Sequence, residues 1–158
     1  MDVVGRWVTL KQSLKGDEGE VKDGMDIALC VVDTHFNEVY FSGANRPLFV
    51  TDKDGKIIEL LPNRNAIGGE LKEAAKKFDT KRFSFIPGQR MYLTSDGYVS
   101  QFGGKNNKKF MKSLFITTLE ELQHQPIEQQ KDTLQKLLTE WTGSNEQVDD
   151  VLIVGIEL

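Results

Sequence analysis

The spacing of apolar positions changes three times along the chain. Val4, Trp7, Val8, Leu10 and Leu14 recur at helical intervals, which predicts an amphipathic helix over 4–14 ending before Gly16. Lys15 to Asp23 is polar, with glycines and alternating charge, and reads as a loop. From Met25 the pattern shortens to β-type runs over 25–32, 38–42, 47–51 and 56–61. Turn signals separate them: Asp33 to Asn37 as a hairpin loop, Gly43 to Pro47, and Asp52 to Gly55, where the glycine supplies a positive φ. This is the pattern of an antiparallel meander.

Residues 70–77 favour a helix by composition but lack apolar periodicity and follow Gly68-Gly69, so helix and surface insertion are both open. Strands are predicted over 82–86 and 90–94, joined by the tight turn Pro87-Gly88-Gln89. The second half reads as helices over 108–115 and 118–124, then a longer one opened by Pro126 and stopped by Gly143. Ile127, Leu134, Leu137, Leu138 and Trp141 share a face of that last helix. Val151 to Ile156 closes the chain as a continuous apolar strand, which predicts cover on both faces.

With 158 residues, 39% hydrophobic and 28% charged, the chain has the size and composition of one domain or a large piece of one. A net charge of −4 argues against nucleic acid and anionic membrane as partners, because both need a basic face. The single Cys30 has no partner for a disulfide or a zinc site and reads as an inert thiol in an apolar run. No apolar stretch approaches the ~20 residues that span a bilayer, and a cytoplasmic location is the expectation. His35 and His124 are expected at the surface, and Trp7, Trp141 and the phenylalanines in the core.

Two features could carry chemistry. In Leu93-Thr94-Ser95-Asp96-Gly97 a strand runs into a carboxylate, placing Asp96 at the strand's C-terminal edge in a setting that suits a hard divalent cation. In Gln147-Val148-Asp149-Asp150-Val151 two adjacent acids enter an apolar strand, where a cation would offset their repulsion and desolvation. Taken singly, solvated turn acids explain each feature better. Together they could form one centre, and two metals about 3.5–4 Å apart can clamp a phosphate and activate a water.

Five stretches occur in an order that resembles the stage II sporulation protein E-type phosphatases, members of the metal-dependent protein phosphatase superfamily and relatives of protein phosphatase 2C. They are Asp23 to Cys30, Phe41 to Leu48, Ile67-Gly68-Gly69, Leu93 to Tyr98 and Gln147 to Val151. The resemblance implies an α+β fold, an αββα sandwich of mainly antiparallel strands with C-terminal helices, with 1–158 as a single partial domain. It implies Mn2+ or Mg2+ dependence and hydrolysis of phosphoserine or phosphothreonine in a phosphorylated protein such as an anti-sigma-factor antagonist. Asp96 and Asp149 would be metal ligands, and Asp150 would fill the neighbouring ligand position.

Relatives also carry an earlier Gly-Asp and a Ser-Gly-His-Gly-type motif, supplying a bridging aspartate and a backbone oxygen ligand. Gly16-Asp17 lacks the matching context, and no Ser-Gly-His-Gly is present. The expectation is therefore half of a metal site on a chain inactive by itself. The rival reading is a non-catalytic, phosphatase-like module that docks on a phosphoprotein or forms a homodimer through exposed apolar or unpaired sheet surface. Asn45-Arg46 could face a phosphate, although a turn-forming role is the simpler reading.

Overall fold

The computed structural model describes residues 24–68 and 77–158. The helix expected over 4–14, the loop after it and nearly all of the segment at 70–77 lie outside the described residues. The strands are β1 (Gly24–Met25), β2 (Ile27–Asp33), β3 (Glu38–Ala44), β4 (Leu48–Thr51), β5 (Ile57–Leu60) and β6 (Ile67–Gly68), then β7 (Lys81–Ser84), β8 (Arg90–Thr94), β9 (Phe102–Gly103), β10 (Lys108–Lys109) and β11 (Ile153–Glu157). The α-helices are α1 (Gly97–Ser100), α2 (Lys112–Glu121) and α3 (Ile127–Thr142), with a 3-10 turn at Leu122–His124. The chain divides into two compact units, Met1–Leu48 with Leu60–Ile86, and Phe49–Glu59 with Pro87–Leu158.

The first unit holds the sheet β2-β3-β7 and the pair β1-β6. The β2–β3 hairpin forms where the sequence predicts it, because Asp33 Oδ1 accepts from the backbone N–H groups of His35 and Phe36 and Asn37 takes φ 53°. Its register pairs Cys30 with Phe41 and Val32 with Val39, so these side chains share one face, on which Val39 and Phe41 are fully buried. Desolvation pushes the half-buried Cys30 thiol up to about 12, which keeps it protonated and inert as expected. At the end of β3, Asn45 takes φ 57°, so the turn role foreseen for Asn45-Arg46 is realised.

The second unit carries the sheet β11-β8-β4-β5 and the α-helices α1, α2 and α3 of the described residues. Its core clusters Phe49, Tyr92, Tyr98, Phe110, Phe115, Leu119, Leu122 and Leu134, with Trp141 and Ile153 packed at the margin. Such aromatic-rich burial supplies most of the driving force for this unit, about 1.5–3 kcal/mol for each large apolar side chain removed from water. The β4–β5 turn is tied to α2: Glu120 accepts from the Ile57 N–H and from Lys56 Nζ, and both bonds hold its carboxyl below the usual carboxylate range.

Three expectations are corrected. The helix predicted over 108–115 is instead the short strand β10 followed by α2, because Asn107 and Met111 take φ 46° and 74° and break the helical path. The segment between them is held as extended chain, with Phe110 N donating to Gln101 O and Met111 N to Val99 O. The helix predicted over 118–124 is the continuation of α2 into the 3-10 turn. Finally, β11 is not covered on both faces: it is the last strand of its sheet among the described residues, and Leu152 and Val154 are 60% and 39% exposed. Among the described residues no helix is long and apolar enough to cross a membrane.

Candidate metal centre

The strand β8 delivers Ser95, Asp96 and Gly97 to its C-terminal edge, where α1 begins at Gly97. Its antiparallel neighbour β11 starts just after Asp149 and Asp150, with Ile153 opposite Thr94. The pairing continues past the regular ladder: Ser95 N donates to Leu152 O at 3.0 Å. The Ser95 hydroxyl then donates to Asp150 O at 2.7 Å and accepts from Leu152 N at 2.9 Å. One side chain thus satisfies both backbone groups of the acid-bearing turn that face it.

Gly97 brings the two turns closer still. A Cβ there would overlap the carbonyl oxygen of Asp150 and lie 3.0 Å from that of Asp149. Only a residue without a side chain allows that approach. Gln147 Nε2 donates to Asp149 O, and Asp149 Oδ1 accepts from Asp150 N at 2.7 Å. Behind the pair, the buried amide of Gln101 accepts from Val148 N at 3.2 Å and donates to Glu146 O at 2.9 Å. The turn leading into Asp149-Asp150 is therefore fastened at both ends by residues that follow β8.

Asp96 is half-buried, whereas Asp149 and Asp150 are exposed. The structure brings the two acid-bearing turns named by the sequence into backbone contact at one sheet edge. Their donor chemistry, carboxylate and carbonyl oxygen, fits a hard divalent cation. Their number does not complete a site: among the described residues no group of three or more His, Cys, Asp or Glu side chains is placed to hold a metal ion.

Sequence reasoning missed the roles of Ser95 and Gln101. Only the direct approach of Gly97 to Asp150 had a sequence signal, the glycine after Asp96. In the first unit, separately, Asp26 accepts from Asn45 Nδ2 at 2.8 Å and pairs with Arg46 Nη2 at 3.2 Å. That contact joins two of the motif stretches, Asp23 to Cys30 and Phe41 to Leu48.

The strand order and helices of this chain place it in a known class. Its fold matches the SiaA-PP2C domain of Pseudomonas aeruginosa with a TM-score of 0.84 and 27% identity, covering 98% of this chain and 58% of that one. It also matches the phosphatase domain of the cell fate determinant SpoIIE from Bacillus subtilis, in its Mn-presoaked form, with a TM-score of 0.66 and 15% identity over 98% of this chain and 63% of that one. A third match is RsbX in complex with magnesium, with a TM-score of 0.63 and 15% identity over 98% of this chain and 64% of that one. The fold is thus α+β, with mostly antiparallel strands, of the PP2C type.

The profile of the stage II sporulation protein E (SpoIIE) family matches residues 9–158, and the chain belongs to that family. It spans 58% to 64% of the length of the three structures described. No curated protein matches it.

Proposed function

We propose that the chain contributes one side of the metal centre of a protein serine/threonine phosphatase, with Asp96, Asp149 and Asp150 as its carboxylate ligands. The observation that carries this reading is the docking of the Ser95-Asp96-Gly97 turn onto the backbone of Asp149 and Asp150. Membership in the SpoIIE family and likeness to a PP2C domain support it. Manganese or magnesium is the cofactor proposed, in keeping with an Mn-presoaked SpoIIE domain and a magnesium-bound RsbX among the fold's relatives.

When bound, such ions polarise a phosphoryl oxygen and lower the pKa of a water that attacks phosphorus. The task of this chain's own residues is positional. Ser95 and Gly97 fix the separation of the two acidic turns, and Gln101 holds the approach to Asp149. Rigid mounting matters because hard cations accept little error in ligand direction. The proposed substrate is a phosphoserine or phosphothreonine protein, an anti-sigma-factor antagonist being the finer assignment, and the proposed compartment is the cytoplasm.

The described acids supply fewer ligands than two metals need, and the bridging aspartate's motif is not in these 158 residues. The polypeptide alone should therefore release phosphate from a generic aryl phosphate no faster than background when manganese is added. Robust manganese-dependent turnover by the chain alone would contradict the half-site assignment. The second reading, a non-catalytic module that dimerises, draws on the exposed Leu152 and Val154 at the end of the β11 sheet. A monomer at high concentration, measured by sedimentation, would remove that reading.

A further inference from the structure

We propose that the basic hairpin β9–β10 is a docking element for acidic side chains flanking the phosphorylated residue of a protein substrate. The proposal takes the position of the phosphate from the phosphatase reading and the recognition of the flanks from the hairpin itself. Between Gly97 and Leu119 the chain carries Lys105, Lys108, Lys109 and Lys112 and no acid. Lys112 is neutralised by Glu59 at 2.8 Å. Lys105, Lys108 and Lys109 are exposed and have no carboxylate partner among the described residues. Three uncompensated cations on one short hairpin are a local exception in a chain of net charge −4. Potentials of this kind select partners of complementary charge more than they add bulk affinity.

The hairpin is mounted beside the candidate centre. Gln101, 1% exposed, sits at the foot of β9 and bonds Glu146 O and Val148 N, in the segment that enters Asp149-Asp150. Asn145 Nδ2 adds a bond to Phe102 O at 3.4 Å. On the other side Gly104 N donates to Trp141 O at 2.8 Å, and any side chain at Gly103 would collide with that same carbonyl. The lysines are therefore carried on a fixed support and not on a free loop. Phe102 is 38% exposed beneath Lys109, whose Nζ lies 5.7 Å from the ring centroid, so apolar surface accompanies the charge. The foot of the hairpin is bonded through Gln101 to Glu146 and Val148, just before the acidic pair, so the residues flanking a phosphorylated side chain held there are the ones proposed to meet its lysines.

The test is fluorescence anisotropy on the full 158-residue chain with manganese present. The probes are fluorescein-labelled peptides containing phosphoserine followed by glutamates, the same peptide with serines in place of the glutamates, and both without phosphate. The glutamate peptide should bind about tenfold more tightly than the serine peptide, as a few exposed charge pairs allow, and high salt should erase the difference. The triple variant Lys105→Ser, Lys108→Ser, Lys109→Ser should lose that preference. A control triple, Lys53→Ser, Lys131→Ser, Lys136→Ser, alters net charge equally at exposed sites elsewhere and should keep it.

Equal binding of the two phosphopeptides to the wild-type chain would overturn the proposal, as would equal loss in both triple variants. So would displacement by a random DNA oligonucleotide as efficient as by the glutamate peptide, since the hairpin would then be a generic polyanion contact. A preference for acidic flanks that is the same with and without phosphate would leave the docking role standing and count against the phosphatase reading.

Discussion

The hydroxyl of Ser95 donates to the carbonyl oxygen of Asp150 at 2.7 Å and accepts from the N–H two residues further on. That bond pair joins two segments far apart in sequence and fixes where the acids stand. Ser95→Ala takes the partner from both backbone groups, and since both bonds are exposed to water the expected destabilisation is about 0.5–1.5 kcal/mol in urea unfolding. An unchanged unfolding midpoint would show that water replaces the hydroxyl at no cost.

Gly97→Ala should be destabilising although alanine favours helix and Gly97 opens α1. The added Cβ meets the Asp150 carbonyl, which is backbone and cannot rotate away, so the turns must part. A loss of about 1–3 kcal/mol is expected, as for other small-to-large changes in packed sites. Amide exchange should rise at Asp150 to Leu152 in this variant, while exchange in α2 stays as in the wild type.

Gln130 is 2% exposed on α3, accepting from the Tyr92 hydroxyl at 2.8 Å and donating to Leu122 O at 2.8 Å. Gln130→Ala takes the acceptor from the buried Tyr92 hydroxyl, which keeps only the bond from Gln123 Nε2, and opens a cavity, while Leu122 O retains the Gln125 N–H. It should cost about 2–4 kcal/mol in chemical unfolding, more than either surface lysine triple.

Stability should fall in alkali over a defined window. Burial pushes the Tyr98 hydroxyl, which donates to Leu134 O, up from 10.0 to about 12, and the Cys30 thiol up from 9.0 to about 12. Both groups are neutral in the folded and unfolded chain below the lower, unfolded values, so their contribution is fully present there. As pH rises, the unfolded chain loses these protons first, and stability drains until the folded values near 12 are reached. Urea melts across this range should show the loss, and Tyr98→Phe should remove the part that begins near 10.

Much of this fold was legible. The strand at Arg90–Thr94 and the hairpin at Asp33 to Asn37 were readable because alternation and turn residues are local signals. The stop at Gly143, with φ 56°, was equally local. The stretch after Lys108 misled because its residues favour a helix, while the strand path is imposed by bonds from Phe110 and Met111 to Gln101 and Val99. The apolar run into β11 looked like a buried strand, since hydropathy alone does not distinguish a central strand from an edge one.

Of the site, the acids and the glycine could be singled out from sequence because they fall within motifs that occur in a family's order; taken singly, each reads as an ordinary turn. Their meeting could only be inferred from motif order. Ser95 and Gln101 act on backbone groups remote in sequence, and Gln130 on the remote Tyr92 hydroxyl, and such contacts leave no periodic trace.

Asp96 and the Asp149-Asp150 pair are proposed to hold one side of a divalent-metal centre. Manganese titration of the chain, followed by water-proton relaxation, tests it most directly. Weak, saturable binding is expected, lost in Asp96→Asn and in Asp149→Asn while circular dichroism stays unchanged. Absence of saturable binding in the wild-type chain, or binding that survives Asp96→Asn undiminished, would contradict it.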